Sequence, residues 1–66
     1  MTYDPQADAA WLYLAERPEP VVSAEVFEGE ALPPIIASVD AEGLIVSLEL
    51  LKASEMLSRS VLDEFR

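Results

Sequence analysis

Residues 35–54, IIASVDAEGLIVSLELLKAS, read as a strand, a tight turn, a second strand and the start of a helix. Asp40-Ala41-Glu42-Gly43 supplies the turn. An Asp side chain bonds its own backbone two residues on, and Gly43 takes φ > 0 without steric cost. After the turn, Leu44, Val46, Leu48 and Leu50 form one apolar face, and Ile45, Ser47, Glu49 and Leu51 form a mixed one. That is the pattern of a strand with one side on a core and the other partly wet. β-Branched content, length and the flanking Gly favour strand over buried helix. Before the turn, Ile35, Ala37 and Val39 alternate with Ile36 and Ser38 in the same way.

Working outward, residues 1–8 (MTYDPQAD) read as a short edge strand running into a turn, because Pro5 cannot donate to a ladder and Asp4 before it suits turn initiation. In Ala9–Ala15, Leu12 and Leu14 share one parity and Trp11 and Tyr13 the other. Both faces are apolar, so this is either a central strand covered on both sides or a strand whose aromatic face is an interface. The two prolines of Glu16–Pro20 stop regular structure there. Val21–Phe27 reads as a third strand, with Val22, Ala24 and Val26 on one face and Ser23 and Glu25 on the other. Glu28-Gly29-Glu30 breaks it. Beyond Leu51 the period changes: Ser54 caps a helix carrying Leu57, Val61 and Phe65 at i, i+4, i+8, and Ser60-x-x-Asp63 offers an alternative cap, with which the helix would be broken near Ser58. The expected fold is a single α+β domain over 1–66: a small antiparallel β-meander of about four strands (2–51) with a C-terminal helix (54–65) packed on one face.

Sixty-six residues bury only about 60% of the surface that the unfolded chain exposes. Small domains usually add disulfides, metals or oligomerisation. The chain has no Cys and no His, which removes thiolate metal sites and the commonest general base. Oligomerisation is the remaining supplement, and a homodimer is expected. Thirteen acidic against four basic residues give a net charge of −9. That charge disfavours phosphate backbones and anionic membranes and suits cations or a basic protein partner. No basic, apolar leader opens the sequence and no run approaches the ~20 apolar residues of a membrane span, so a cytoplasmic protein is expected.

Three segments, YDPQADAAWLYL (Tyr3–Leu14), SAEVFEG (Ser23–Gly29) and SVDAEGLIVSLELLKAS (Ser38–Ser54), together resemble the small bacterial family called domain of unknown function 2283. Tyr3, Asp4, Asp8, Asp40 and Gly43 fall on its pattern. Ser47 departs from it where a second Gly is common, and Tyr13 where a polar residue is common. The resemblance implies a compact sheet-plus-helix domain with no catalytic residues to carry over. Some relatives lie beside small toxin-like proteins, which implies an antitoxin-like role as one expectation.

The chemistry on offer is sparse. Asp4 and Asp8, spaced D-x-x-x-D, and Asp40 are carboxylates of the kind that hold Mg²⁺ or Ca²⁺; the simpler reading has each pinning a turn through backbone N–H groups. A small cation-dependent enzyme using Asp4, Asp8 and Asp40 is therefore the alternative. Glu49, between apolar neighbours, calls for a partner among Arg17, Arg59, Lys52 or another chain. Lys52-Ala53-Ser54 reads as capping, since no Ser–His, Cys–His or G-x-S-x-G arrangement accompanies it. Two glycines make no phosphate loop. Trp11 and Tyr13 lack the surrounding positive charge of a base-stacking platform, so no nucleic-acid partner is expected. The leading expectation is a non-enzymatic, dimeric interaction module without metal or cofactor. Trp11, Tyr13, Ile36, Ile45, Glu25 and Glu49 are its candidate interface, and a basic protein is its possible partner.

Overall fold

A computed structural model describes residues 1–15 and 20–65. Five strands, β1 (Thr2–Asp4), β2 (Ala9–Tyr13), β3 (Ser23–Phe27), β4 (Ile35–Val39) and β5 (Ile45–Leu51), form one antiparallel sheet in the order β1-β2-β5-β4-β3. The sheet has five strands where about four were expected, and the short edge strand expected within 1–8 is Thr2–Asp4, which pairs with Ala9–Trp11 along its whole length. It is also not a simple meander. Two units, the β1–β2 hairpin and the β3–β4–β5 meander, join where β5 pairs with β2. The central place falls to β5, between β2 and β4, and not to β2. The Glu16–Pro20 connection falls largely outside the described residues.

The β4–β5 hairpin forms as its residues dictate. Asp40 Oδ1 accepts from the amides of Glu42 (2.9 Å) and Leu44 (3.0 Å), and the Gly43 amide donates to the Asp40 carbonyl at 3.1 Å. Gly43 sits at φ 83°, in the left-handed region where a side chain is penalised. Next to the turn the register slips between Ser38 and Val39, so that Ser47 pairs with Ser38 but Ile45 with Val39. Val46 is thus the extra residue of a β-bulge.

Beyond β5 the chain does not make the long helix expected over 54–65. A 3₁₀ turn (Ala53–Glu55) comes first, then α1 (Arg59–Glu64). The break falls at Ser58, where the alternative reading put it, but the cap is Ser58 and not Ser60: the Ser58 Oγ accepts from the Val61 amide at 3.4 Å. Leu57 consequently precedes the helix, Val61 and Phe65 are exposed, and Leu62 is the buried residue of α1. The i, i+4, i+8 stripe fails because the helix it assumes is interrupted.

Leu62 packs on Ala10, Leu50 and Ala53, with Met1, Tyr3, Leu12, Ile35, Met56 and Leu57 around them. Side-chain alternation and the pairing register put Tyr3, Ala10, Leu12, Leu50 and Ile35 on the same face, so this helix-side face holds the core. The core is thin. Among the described residues seven are buried, four of them alanine, and no side chain is both large and fully buried. The molecule is a slab, 34 × 28 × 16 Å. Its radius of gyration of 12.4 Å exceeds the roughly 10.8 Å expected of a compact chain of this length. Among the described residues no helix is long and apolar enough to cross a membrane.

Candidate functional site

The other face of the sheet carries the residues with most to say about function. One row runs straight across all five strands: Thr2, Trp11, Glu49, Ile36, Val26. Tyr13, Ser47, Ser38 and Ala24 form the next row on that face, and Leu51 lies on it at the opposite end. None of the described elements covers it. Trp11, Ile36 and Leu51 are half-buried, whereas Tyr13 is 68% exposed and Val26 58%. The Glu49 carboxylate stands between Trp11 and Ile36, half-buried, and makes no hydrogen bond or ion pair among the described residues. Arg17, one of the expected partners, lies outside those residues.

Four of the six candidate interface residues, Trp11, Tyr13, Ile36 and Glu49, thus share this outer face. Glu25 does not: it pairs with Ala37 in the row of Leu12 and Leu48, on the helix side. Ile45 lies beyond the bulge, opposite Val39. The bulge breaks the parity that sequence alternation assigned to Ile45. Val26 joins the patch instead, which its alternation with Glu25 allows once the strand is known to be an edge. The two departures from the family pattern, Tyr13 and Ser47, face each other directly across β2 and β5.

The three aspartates do different work. Asp4 Oδ1 accepts from the amides of Gln6 (3.0 Å) and Ala7 (3.4 Å), a local turn of the kind expected. Asp40 does the same for its hairpin. Asp8 reaches much further. Its Oδ2 accepts from the Ser54 hydroxyl at 2.6 Å, and its Oδ1 from the Ser54 amide and the Tyr3 hydroxyl, both at 2.9 Å. Its carbonyl accepts from the Ala53 amide at 2.8 Å. Asp8 at φ 51° and Lys52 at φ 54° both occupy the left-handed region, and this bonding holds the two turns together. The Ser54 hydroxyl, against the opposing pull of desolvation and with help from the Ser54 amide and Tyr3, holds the Asp8 carboxyl below its ordinary pKa. The sequence pattern points to Ser54 as a helix cap and not as the partner of Asp8; the A-S ending of the third familiar segment is the signal that could have marked it.

The alternative of a carboxylate cation site is not gathered by the fold. Asp4 lies level with the start of β4 and Asp40 just past its end, about 20 Å apart at the usual strand rise. Among the described residues no group of three His, Cys, Asp or Glu side chains is placed to hold a metal ion. Both Asp8 oxygens are already engaged by protein donors.

Fold and site together define a small antiparallel-sheet domain with short helical elements on one face and, on the other, a mixed apolar and polar face that none of the described elements covers. The chain belongs to the DUF2283 family of proteins of unknown function, whose model matches residues 1–54. That match ends on Ser54, so it includes Tyr3, Asp8 and Ser54, which meet in one hydrogen-bonded cluster. No curated protein and no solved structure matches the chain.

Proposed function

We propose that the chain is a non-enzymatic protein-interaction module that works as a dimer and presents its outer face to a partner protein. The observation that carries this reading is the row Trp11–Glu49–Ile36, aromatic, acidic and aliphatic side by side on a face that none of the described elements covers. Trp is among the residues that dominate binding energy when an interface closes over them. A carboxylate between two apolar side chains costs free energy if it is covered unpaired, and is stabilised if the partner brings a Lys or Arg. The thin, alanine-rich core supports self-association, since it leaves the monomer little buried apolar surface.

The net charge of −9 and the exposed Glu28 and Glu30 beside β3 favour a basic partner. An antitoxin-like role toward a small basic protein is the sharper form of the same reading. Opposite charge mainly raises association rate and specificity, so binding should weaken with salt. The test is a tagged pull-down from the host at low and high salt, run in parallel with Trp11→Ala and Glu49→Gln. The expected result is one basic protein retained by the wild type at low salt, released at high salt, and lost with both variants while they still melt cooperatively. Undiminished capture by both variants would place the partner elsewhere and overturn the role of this face.

A further inference from the structure

β3 is the outer strand of the sheet, paired with β4 on one side only. An edge strand presents a row of unpaired backbone groups that template another strand. Every residue from 21 to 32 is exposed. Within Val21–Phe27 (VVSAEVF), Val21, Val22, Val26 and Phe27 are each more than half exposed. The sole charge in those seven residues is Glu25, at the middle of β3.

We propose that this edge takes a second copy of the chain, strand against antiparallel strand about a two-fold axis, with Ala24 opposite the partner's Ala24. The inference rests on the dimeric reading above and specifies its geometry. Paired residues in an antiparallel ladder share a parity of the pleat, so each symmetric register centres on one residue. Centred on Ala24, Ser23 faces the partner's Glu25, and the two Glu25 carboxylates stay apart. Val21 and Val22 then lie near the partner's Val26 and Phe27 but outside the regular ladder, because they precede β3 and the Val22 amide already donates to the Val39 carbonyl at 2.9 Å. Centred on Glu25, the two carboxylates stand directly opposite, an unfavourable cross-strand pair. Centred on Val26, Glu25 faces the partner's Phe27. Glu25 therefore does not block the edge; it selects the register. Pro20, which has no N–H to give, lies outside the ladder. Because the axis is perpendicular to the sheet, both Trp11–Glu49–Ile36 rows emerge on the same side of the continuous sheet. One dimer thus presents two copies of the candidate partner surface in one plane.

The chain contains no Cys, so single cysteines report the register without background. Across an antiparallel pair the Cα atoms lie about 4.5–5.5 Å apart, within disulfide reach. Ala24→Cys is expected to form a disulfide-linked dimer under air, and Glu25→Cys and Val26→Cys to remain unlinked. Val22→Lys, at an exposed position, should weaken dimerisation about tenfold or more while the helix-side core stays folded. A wild-type dimer whose Ala24→Cys variant stays reduced, or whose Glu25→Cys or Val26→Cys variant links instead, would overturn this edge and register and leave self-association standing. A wild type that is monomeric throughout would overturn both.

Discussion

Leu50→Ala is expected to leave most of the chain unfolded at room temperature. Leu50 lies on the central strand, 9% exposed, packed with Ala10, Ala53 and Leu62. Truncating a buried Leu costs about 2–5 kcal/mol, through lost transfer energy and the cavity left behind. A domain of this length has roughly 3–10 kcal/mol in total at typical per-residue stability. With Leu50 truncated, three of the four buried residues in the cluster would be alanine, and α1 would rest only on the partly buried side chains around it, Tyr3, Leu12 and Ile35 among them; at six residues it is far too short to persist alone. The comparison is Leu44→Ala, whose side chain is 59% exposed and whose loss should fall within about 0.5 kcal/mol. Urea melts of the two variants, followed by the fluorescence of the single Trp, would separate them. Equal midpoints would show that the core lies elsewhere.

The second large effect belongs to Asp8. Asp8→Ala removes the acceptor of three hydrogen bonds, one from Tyr3 in β1 and two from Ser54 that tie the β1–β2 turn to the turn after β5, and it leaves an Ala in the left-handed region. It should lower the melting temperature more than Asp4→Ala, whose acceptor bonds are all local. Asp8→Gly removes the backbone penalty and keeps the loss of hydrogen bonds, so the difference between the two variants isolates the strain. A double-mutant cycle with Ser54→Ala should show strong coupling, because each single change already breaks the shared bond. The pH dependence has a definite sign. The folded-state pKa of Asp8 is depressed, so its contribution is present above the unfolded value of about 3.9 and is lost as pH falls through the lower folded value. Asp8→Asn keeps the shape without the charge and should flatten the acid limb of the stability curve. An acid limb identical to wild type, or Asp8 variants no worse than Asp4→Ala, would remove Asp8 from this role.

Much of the architecture could be read from local patterns. The β4–β5 hairpin is legible because Asp40 and Gly43 each do turn chemistry within four residues, and the strand at 23–27 because proline and glycine breaks bracket it. The family resemblance was legible because its segments occur in order. What escaped depends on partners far apart in the chain. Asp8 and Ser54 are 46 residues apart, and a D-x-x-x-D spacing beside a proline points to a local turn with equal force. The insertion of β5 between β2 and β4 follows from pairing that alternation does not encode. The helix was overextended because Leu57, Val61 and Phe65 keep a helical period across the Ser58 cap. In the outer face, period-two alternation put Trp11 and Tyr13 together, and Ile36 with Glu49 follows from the hairpin register. It misplaced Ile45, because one bulge residue shifts all that lies beyond it.

The first polypeptide for this thin sheet to meet is a second copy of itself. Light scattering on the wild-type chain, from low to high micromolar concentration, reads that directly. The expected molar mass is twice the 7.3 kDa of one chain, falling toward the single-chain value only on dilution. A mass of 7.3 kDa at every concentration, with a melting temperature independent of concentration, would contradict it.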